Sequence, residues 1–499
     1  MKMKNIIFNK YYLITLVAFF LTFSLLFACK KFIQVETPST SIDVKSAFST
    51  NIAAAQVLTG IYTEMSKSRF NGTPISMSVI PELSADNLTL FDPNSSMQFV
   101  DYYRNSLEPN YLNSGGENST YWVNNYKTIY TLNTAIEQLT DNKKLSPNIG
   151  KRLLGEAYFM RAFLYFYLVN FYGEVPLVLI TSYKENALIR KNSFSEVYAQ
   201  ILKDLQKAEG LLDVNYMSGD VTKVVFDRLR PNLIAVYGLQ ARVHLYQKNY
   251  VAAEAAANKV ISQPGYGLSN LDEVFQKNSL ETIWALQPVV IGSNSLLADQ
   301  FLLPPSGPNE FDYPVFASAS LIGSFEPGDS RKWKWLGIVT ANDVDYYYPT
   351  KYKRGFIPDS KDINEFTIVQ RVSEQYLIRA EARNEQGNII GAVEDLNAIR
   401  QRSRDVASAK VPNPLPALNT SISQTELRSI ILHERRVELF VEWGHRWFDL
   451  RRSGNLDRVL IEEHKLKGGE WQSYKAYYPI PQYELTTNKW LTQTPGYNN

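Results

Sequence analysis

The feature that most limits what this chain can fold into is an internal echo. Tyr237, Ala241, Ala253 and Val260 recur at a constant offset of 139 residues as Tyr376, Ala380, Ala392 and Ile399. Tyr158 and Ala162 repeat the first two positions once more, 79 residues before the first copy. Each full copy reads as an apolar-periodic helix, a short polar turn (Gln247-Lys248-Asn249; Gln386-Gly387-Asn388) and a second helix. Small residues at fixed places in both helices let two backbones approach closely, so the unit is a packed helix pair. The copies are too few and too far apart for a regular solenoid, and helix pairs wrapped round a core are the better expectation.

The rest of the chain agrees. Apolar residues at spacings of three and four predict helices over Ala53–Met65, Tyr121–Leu139, Lys151–Phe171, Phe194–Leu212, Pro231–Gln247, Tyr250–Ser262, Ser373–Glu385, Ile390–Arg402 and Gln424–Glu442. Ser195 before Glu196, and Ser423 before an acid-rich first turn, are the expected caps. Between the helices lie long Pro/Gly- and aromatic-containing stretches near 74–118 and 288–366. Loops of that length inside a compact domain are commonly functional. They are expected to pack together as an irregular subregion, with a short strand at Thr282–Gln287. Tetratricopeptide-like units use the same close helix pairing.

The N-terminus carries a separate message. Lys2, Lys4 and Lys10 precede an uninterrupted apolar or weakly polar run from Tyr11 to Ala28, and a cysteine follows. This is the order of a secretory signal, and the run is also near the lower length limit for a membrane span. Leu26-Phe27-Ala28-Cys29 resembles a lipobox, in which the cysteine is acylated and becomes the new N-terminus; Phe27 is bulkier than is usual there. Cys29 is the only cysteine of 499 residues, so it has no partner for an internal disulfide. The expected division is a signal over 1–28, a lipidated N-terminus and tether over 29–46, and one domain over 47–499. The chain's net charge is +2 and the signal holds three lysines, so the remainder is near neutral. That excludes the basic stripe a nucleic-acid-binding surface needs.

Three segments resemble signatures of the SusD/RagB family of outer-membrane lipoproteins. One is Gly155-Glu156-Ala157-Tyr158-Phe159-Met160-Arg161-Ala162, continuing to Phe171-Tyr172-Gly173-Glu174-Val175-Pro176-Leu177. The second is Glu434-Arg435-Arg436-Val437-Glu438-Leu439, continuing Glu442-Trp443-Gly444-His445-Arg446-Trp447-Phe448-Asp449-Leu450-Arg451-Arg452-Ser453-Gly454. The third is Tyr478-Pro479-Ile480-Pro481-Gln482-Tyr483-Glu484-Leu485, with Gln493-Thr494-Pro495-Gly496-Tyr497 at the end. Phe325-Glu326-Pro327-Gly328-Asp329-Ser330-Arg331 is a weaker match. The resemblance implies a single all-α domain: a right-handed superhelical scaffold of tetratricopeptide-like helix pairs with an irregular loop-rich face. It further implies a surface lipoprotein that binds oligosaccharide, or in some members peptide, over a SusC-like TonB-dependent transporter.

The Glu434–Arg452 segment invites a catalytic reading, with its carboxylates, arginines and histidine. Glu442 and Arg446 stand four apart and Glu438 three from Arg435, so ion pairs along a helix are the expectation. Arg161 and Glu156 are read the same way, as structural charges. The histidines at 244, 433, 445 and 464 form no zinc-binding pattern, and no nucleophile elbow or phosphate loop is present. No catalytic residue, metal ligand or cofactor is therefore assigned, although glycosidase carboxylates carry no local signature that would reveal them. A sugar-binding face needs flat aromatics for pyranose faces and polar groups for hydroxyls. Two loop clusters qualify: Tyr102, Tyr103 and Arg104 in one, and Trp333, Trp335, Tyr346 and Tyr347 in the other. In an extended segment Trp333 and Trp335 share one face, as two platforms would. The alternative is that these aromatics fill the core of the irregular subregion. The remaining alternatives are a peptide ligand, a secreted glycan-cleaving enzyme and a purely structural helical adaptor.

Overall fold

A computed structural model describes residues 44–67, 77–95, 99–109 and 117–497. The signal, Cys29 and most of the tether lie outside the described residues. Among the described residues there are eleven helices of eight residues or more. They are α1 Asn51–Lys67, α2 Glu117–Leu139, α3 Pro147–Tyr172, α4 Phe194–Leu211, α5 Leu233–Tyr246, α6 Tyr250–Ile261, α7 Val372–Glu385, α8 Ile389–Ser403, α9 Gln424–Leu439, α10 His445–Arg452 and α11 Leu456–Lys467. Helices α3 and α4, α5 and α6, and α7 and α8 pack as successive pairs; α2 lies on α3, and α9 on α7.

The echo is the packing device. Ala162, Ala241, Ala380, Ala253 and Ala392 are all buried at helix–helix contacts. The repeated tyrosines do something the pattern did not announce, because each carries a cation over its ring. Arg161 lies 5.5 Å from the centroid of Tyr158, Lys259 4.2 Å from Tyr237, and Arg379 5.3 Å from Tyr376. Gly155 serves the α3–α4 pair: a β-carbon there would come within 2.8 Å of Leu212. Arg161 then locks the pair by a fork onto Asp204, at 2.7 and 2.8 Å. The cap of α4 differs from expectation. Ser193, not Ser195, closes a capping box with Glu196, because the helix already begins at Phe194. Ser423 caps α9 as expected, accepting from the Glu426 N–H.

The loop-rich stretches and the segments beside them hold short strands. Among the described residues, eight short strands form four antiparallel pairs: β1 (Leu88–Leu90) with β5 (Val315–Ala317), β2 (Tyr216–Met217) with β3 (Val224–Val225), β4 (Thr282–Leu286) with β8 (Thr367–Arg371), and β6 (Leu336–Ala341) with β7 (Val344–Pro349). Strand β4 is the one the sequence revealed. Strand β5, of the second loop stretch, pairs with β1 of the first and packs on β7, so the two stretches meet as one subregion.

That subregion is tied to the helices by buried charge, in a manner the expected pairs along one helix do not describe. Helix α9 ends at Leu439, and the chain turns through positive φ at Val441, Trp443 and Gly444. Glu442 and Arg446 therefore do not share a helix face. Arg446 pairs with Asp86 at 2.7 Å, and Arg435 with Asp449 at 2.7 Å. Glu438 receives Arg331, Arg371 and Arg402 at 2.6–2.8 Å. Glu442 receives Lys351 and Arg371, while Glu434 takes Arg331 and Arg400. Burial alone would raise the Glu438 carboxyl, but Arg402, Arg371 and Arg331 outweigh it and hold the group well below its usual range. The cluster is a structural lattice of paired charges. Removing one member leaves others buried and uncompensated, so Glu438→Gln is expected to cost about 3–5 kcal/mol in urea unfolding.

A second buried cluster fixes residues 80–90. Burial would raise Asp86, yet hydrogen bonding and charge from Arg446, with Arg436 behind it, hold its carboxyl down to about 2. At neighbouring Glu82 burial outweighs the hydrogen bonds from the Asn87 amide and the Val441 backbone and the charge of Arg446, and its carboxyl is pushed up to about 7. In the folded chain Glu82 keeps its proton to higher pH than in the unfolded chain, so its contribution to stability falls as pH rises from about 4.5 to about 7. Glu82→Gln is expected to raise stability at pH 8 by a few kcal/mol at most, on the order set by that shift. The difference should vanish below pH 4.5, and melting curves across this range read it directly.

Candidate ligand-binding face

The structure separates the candidate aromatics into supports and exposed groups. Arg331–Lys334 form a helical turn, not an extended segment, so Trp333 and Trp335 point apart. Trp333 is 63% exposed, with the Lys332 ammonium 5.2 Å from its ring. Trp335 is fully buried: its Nε1–H donates to the Leu271 carbonyl at 3.1 Å, and Phe275 meets it edge-on at 5.5 Å. The paired platform expected of these two tryptophans does not form, and Trp335 is core. Tyr102 is also buried, against Tyr478 at 5.8 Å. Tyr103 is buried under the Lys467 ammonium, and its hydroxyl lies 3.1 Å from Thr89 Oγ1.

The hairpin β6–β7 sorts its tyrosines by strand alternation. Cross-strand partners are Gly337 with Tyr348, Ile338 with Tyr347, and Val339 with Tyr346. Tyr346 and Tyr348 therefore share one face and Tyr347 takes the other, opposite exposed Ile338. Tyr348 covers Gly337, where a β-carbon would stand 2.6 Å from the ring. Tyr346 is held between Phe316 of β5, perpendicular at 5.2 Å, and Phe91, tilted at 6.1 Å. Phe91 follows β1 directly, and its N–H bonds to the Pro314 carbonyl at 2.8 Å.

Through β1 the two sequence clusters meet. Residues 88–95 run from the hairpin's aromatic face to Arg104, whose Nη2 donates to Asn94 Oδ1 at 3.1 Å. In the same turn the Ser95 hydroxyl and the Asn94 N–H donate to Asp92, and these bonds hold its carboxyl below the usual range. The assembled surface offers aromatic rings (Phe91, Phe316, Tyr346), an amide (Asn94), a guanidinium (Arg104) and an ionised acceptor (Asp92). Those groups match the apolar faces and hydroxyl edges of sugar rings. Phe91, Phe316 and Asn94 were not picked out from sequence. The only signal for the first was its place at the Phe-Asp-Pro-Asn turn that ends β1, and Tyr346 lies 255 residues further on.

Comparison with known proteins agrees with the motifs. Residues 31–245 match the family described as "Starch-binding associating with outer membrane", and residues 330–497 match the SusD family. The SusD-like protein P25 of Formosa agariphila is 25% identical, over 100% of this chain and 99% of its own. The crystal structure of a SusD superfamily protein from Bacteroides vulgatus superposes with a TM-score of 0.73 at 21% identity, covering 90% of this chain and 99% of that one. A laminarin-binding SusD-like protein superposes at 0.69 with 22% identity, covering 89% and 99%. With its helix pairs, its loop-rich face and both family models matched in order, the chain belongs to the SusD/RagB family.

Proposed function

We propose that the protein is a lipid-anchored receptor on the cell exterior that captures an oligosaccharide and passes it to a SusC-like TonB-dependent outer-membrane transporter. The observation that carries this reading is the Phe91–Tyr346–Phe316 aromatic cluster beside Arg104 and Asn94, on the face where both loop stretches meet. A sugar ring lying on Phe91 and Tyr346 would direct its hydroxyls at the Asn94 amide, the Asp92 carboxylate and the Arg104 guanidinium. Binding of this kind requires no bond-making step, and the conspicuous carboxylates of the Glu434–Glu442 stretch are already occupied by arginine and lysine. The laminarin-binding relative and the starch-binding family description favour glycan over peptide as the ligand. Attachment would be through Cys29. No helix among the described residues is long and apolar enough to cross a membrane.

The direct test is retention of the soluble form, begun after Cys29, on a panel of immobilised polysaccharides and oligopeptides. One glycan is expected to retain it, with affinity falling about tenfold or more, equivalent to about 1.4 kcal/mol, in Tyr346→Ala or Phe91→Ala. Trp335→Ala should act differently, lowering stability by about 3–5 kcal/mol through the cavity it leaves. Retention by peptides alone would overturn the glycan assignment. Attachment is checked by Cys29→Ser, which is expected to move the full-length protein from the membrane to the soluble fraction on cell fractionation.

A further inference from the structure

A cavity of about 380 Å³ opens between the echoed helix pairs and shares no residue with the aromatic face. It is lined by Tyr246, Lys248 and Tyr250 at the α5–α6 turn, Glu381 and Glu385 on α7, Arg428 on α9 and Arg452 on α10. The turn that holds Lys248 has an exact counterpart in the second helix pair. The Lys248 N–H bonds to the Leu245 carbonyl at 3.0 Å and the Asn249 N–H to that of His244 at 2.9 Å. The same two bonds recur at Gly387 to Asn384, 3.0 Å, and Asn388 to Arg383, 2.8 Å. Both turns need a left-handed residue, with φ of +59° at Lys248 and +82° at Gly387. The second pair meets that need with glycine. The first carries a lysine there, and its side chain lines the cavity.

Charge and hydrogen bonding at the cavity agree. Glu385 is taken by Arg428 in a fork at 2.5 and 2.8 Å, and Glu381 by Arg452, with Nη2 at 2.7 Å. Arg452 is itself shared with Asp449 through Nε. Among the described residues the exposed Lys248 makes no ion pair, and the hydroxyls of half-buried Tyr246 and Tyr250 make no hydrogen bond. The lining thus keeps one uncommitted ammonium and two uncommitted phenols, in a space at the small end of the range for ligand pockets. We propose that this cavity binds the carboxylate of a small ligand, held by Lys248 with the tyrosine hydroxyls donating beside it. An acidic sugar and the C-terminus of a short peptide share that chemistry.

Calorimetry on the mature chain separates the sources with two probe pairs: galacturonate against galactose, and trialanine against its C-terminal amide. One acid is expected to bind at least tenfold more tightly than its neutral counterpart, and which pair responds names the source. Lys248→Gly should remove that preference while leaving the melting temperature unchanged or raised, since glycine fits the turn. Tyr250→Phe should weaken binding of the acid with the fold intact. Equal binding of acid and neutral probe in both pairs, or an acid preference that survives Lys248→Gly, would overturn the proposal. Retention on polysaccharide through Phe91 and Tyr346 is read separately and should not change in Lys248→Gly.

Discussion

The buried charge lattice around Glu434, Glu438 and Glu442 is what the rest of the molecule depends on. These carboxylates lie on α9 and the turn after it, while their partners come from every other part of the late chain. Arg400 and Arg402 belong to α8, Arg371 ends β8, and Arg331 and Lys351 belong to the loop-rich subregion. Hydrophobic contact between irregular loops and a helical scaffold is non-directional and tolerates sliding. A set of forked guanidinium–carboxylate contacts in a dry interior does not, because any displacement strands a charge. Burial lowers Lys351 to about 8 even with Glu442 beside it, a measure of how strongly this environment opposes unpaired charge.

The lattice bears directly on the candidate face. Hairpin β6–β7 begins at Leu336 and ends at Pro349. Arg331 enters the lattice just before its first strand, and Lys351 just after its last. Both stems are therefore clamped to the scaffold, and Trp335 is packed between them and the lattice cations. The other edge of the face, β1 with Phe91, is fixed by Asp86 and its two arginines from α9 and α10. A binding surface made of loops gains precision when its ends are set this way, since less conformational freedom is lost on meeting a ligand.

What was legible in the sequence follows from range. The helices showed themselves because their determinants are three or four residues apart, and the predicted segments lie within a few residues of α1 to α9. The echo of Ala241 and Ala253 at Ala380 and Ala392 revealed pairing for the same reason. The errors are of a different kind. The helical spacing of apolar residues runs on through Glu442, but the positive φ values at Val441 and Trp443 are set by tertiary packing that no local rule supplies. The helical turn Arg331–Lys334, which separates Trp333 from Trp335, is too short to leave a periodic signal. The candidate face shows the same limit: Tyr102, Tyr103 and Trp335 became supports, and Phe91 replaced them at the surface.

The two turns of the helix pairs show how function becomes legible when a fold contains its own control. A lysine with φ of +59° would, in isolation, be one of several non-glycine residues in the left-handed region of this chain. Its counterpart with matching hydrogen bonds carries glycine, so the backbone requirement is common to both turns and the difference lies in the side chain alone. The same logic applies to the repeated tyrosines. Tyr158, Tyr237 and Tyr376 each hold a cation on the ring, so that contact belongs to the scaffold and marks no site. Where repeats agree, the shared residue answers to packing; where they differ at one matched backbone position, the exception is what the scaffold alone does not explain.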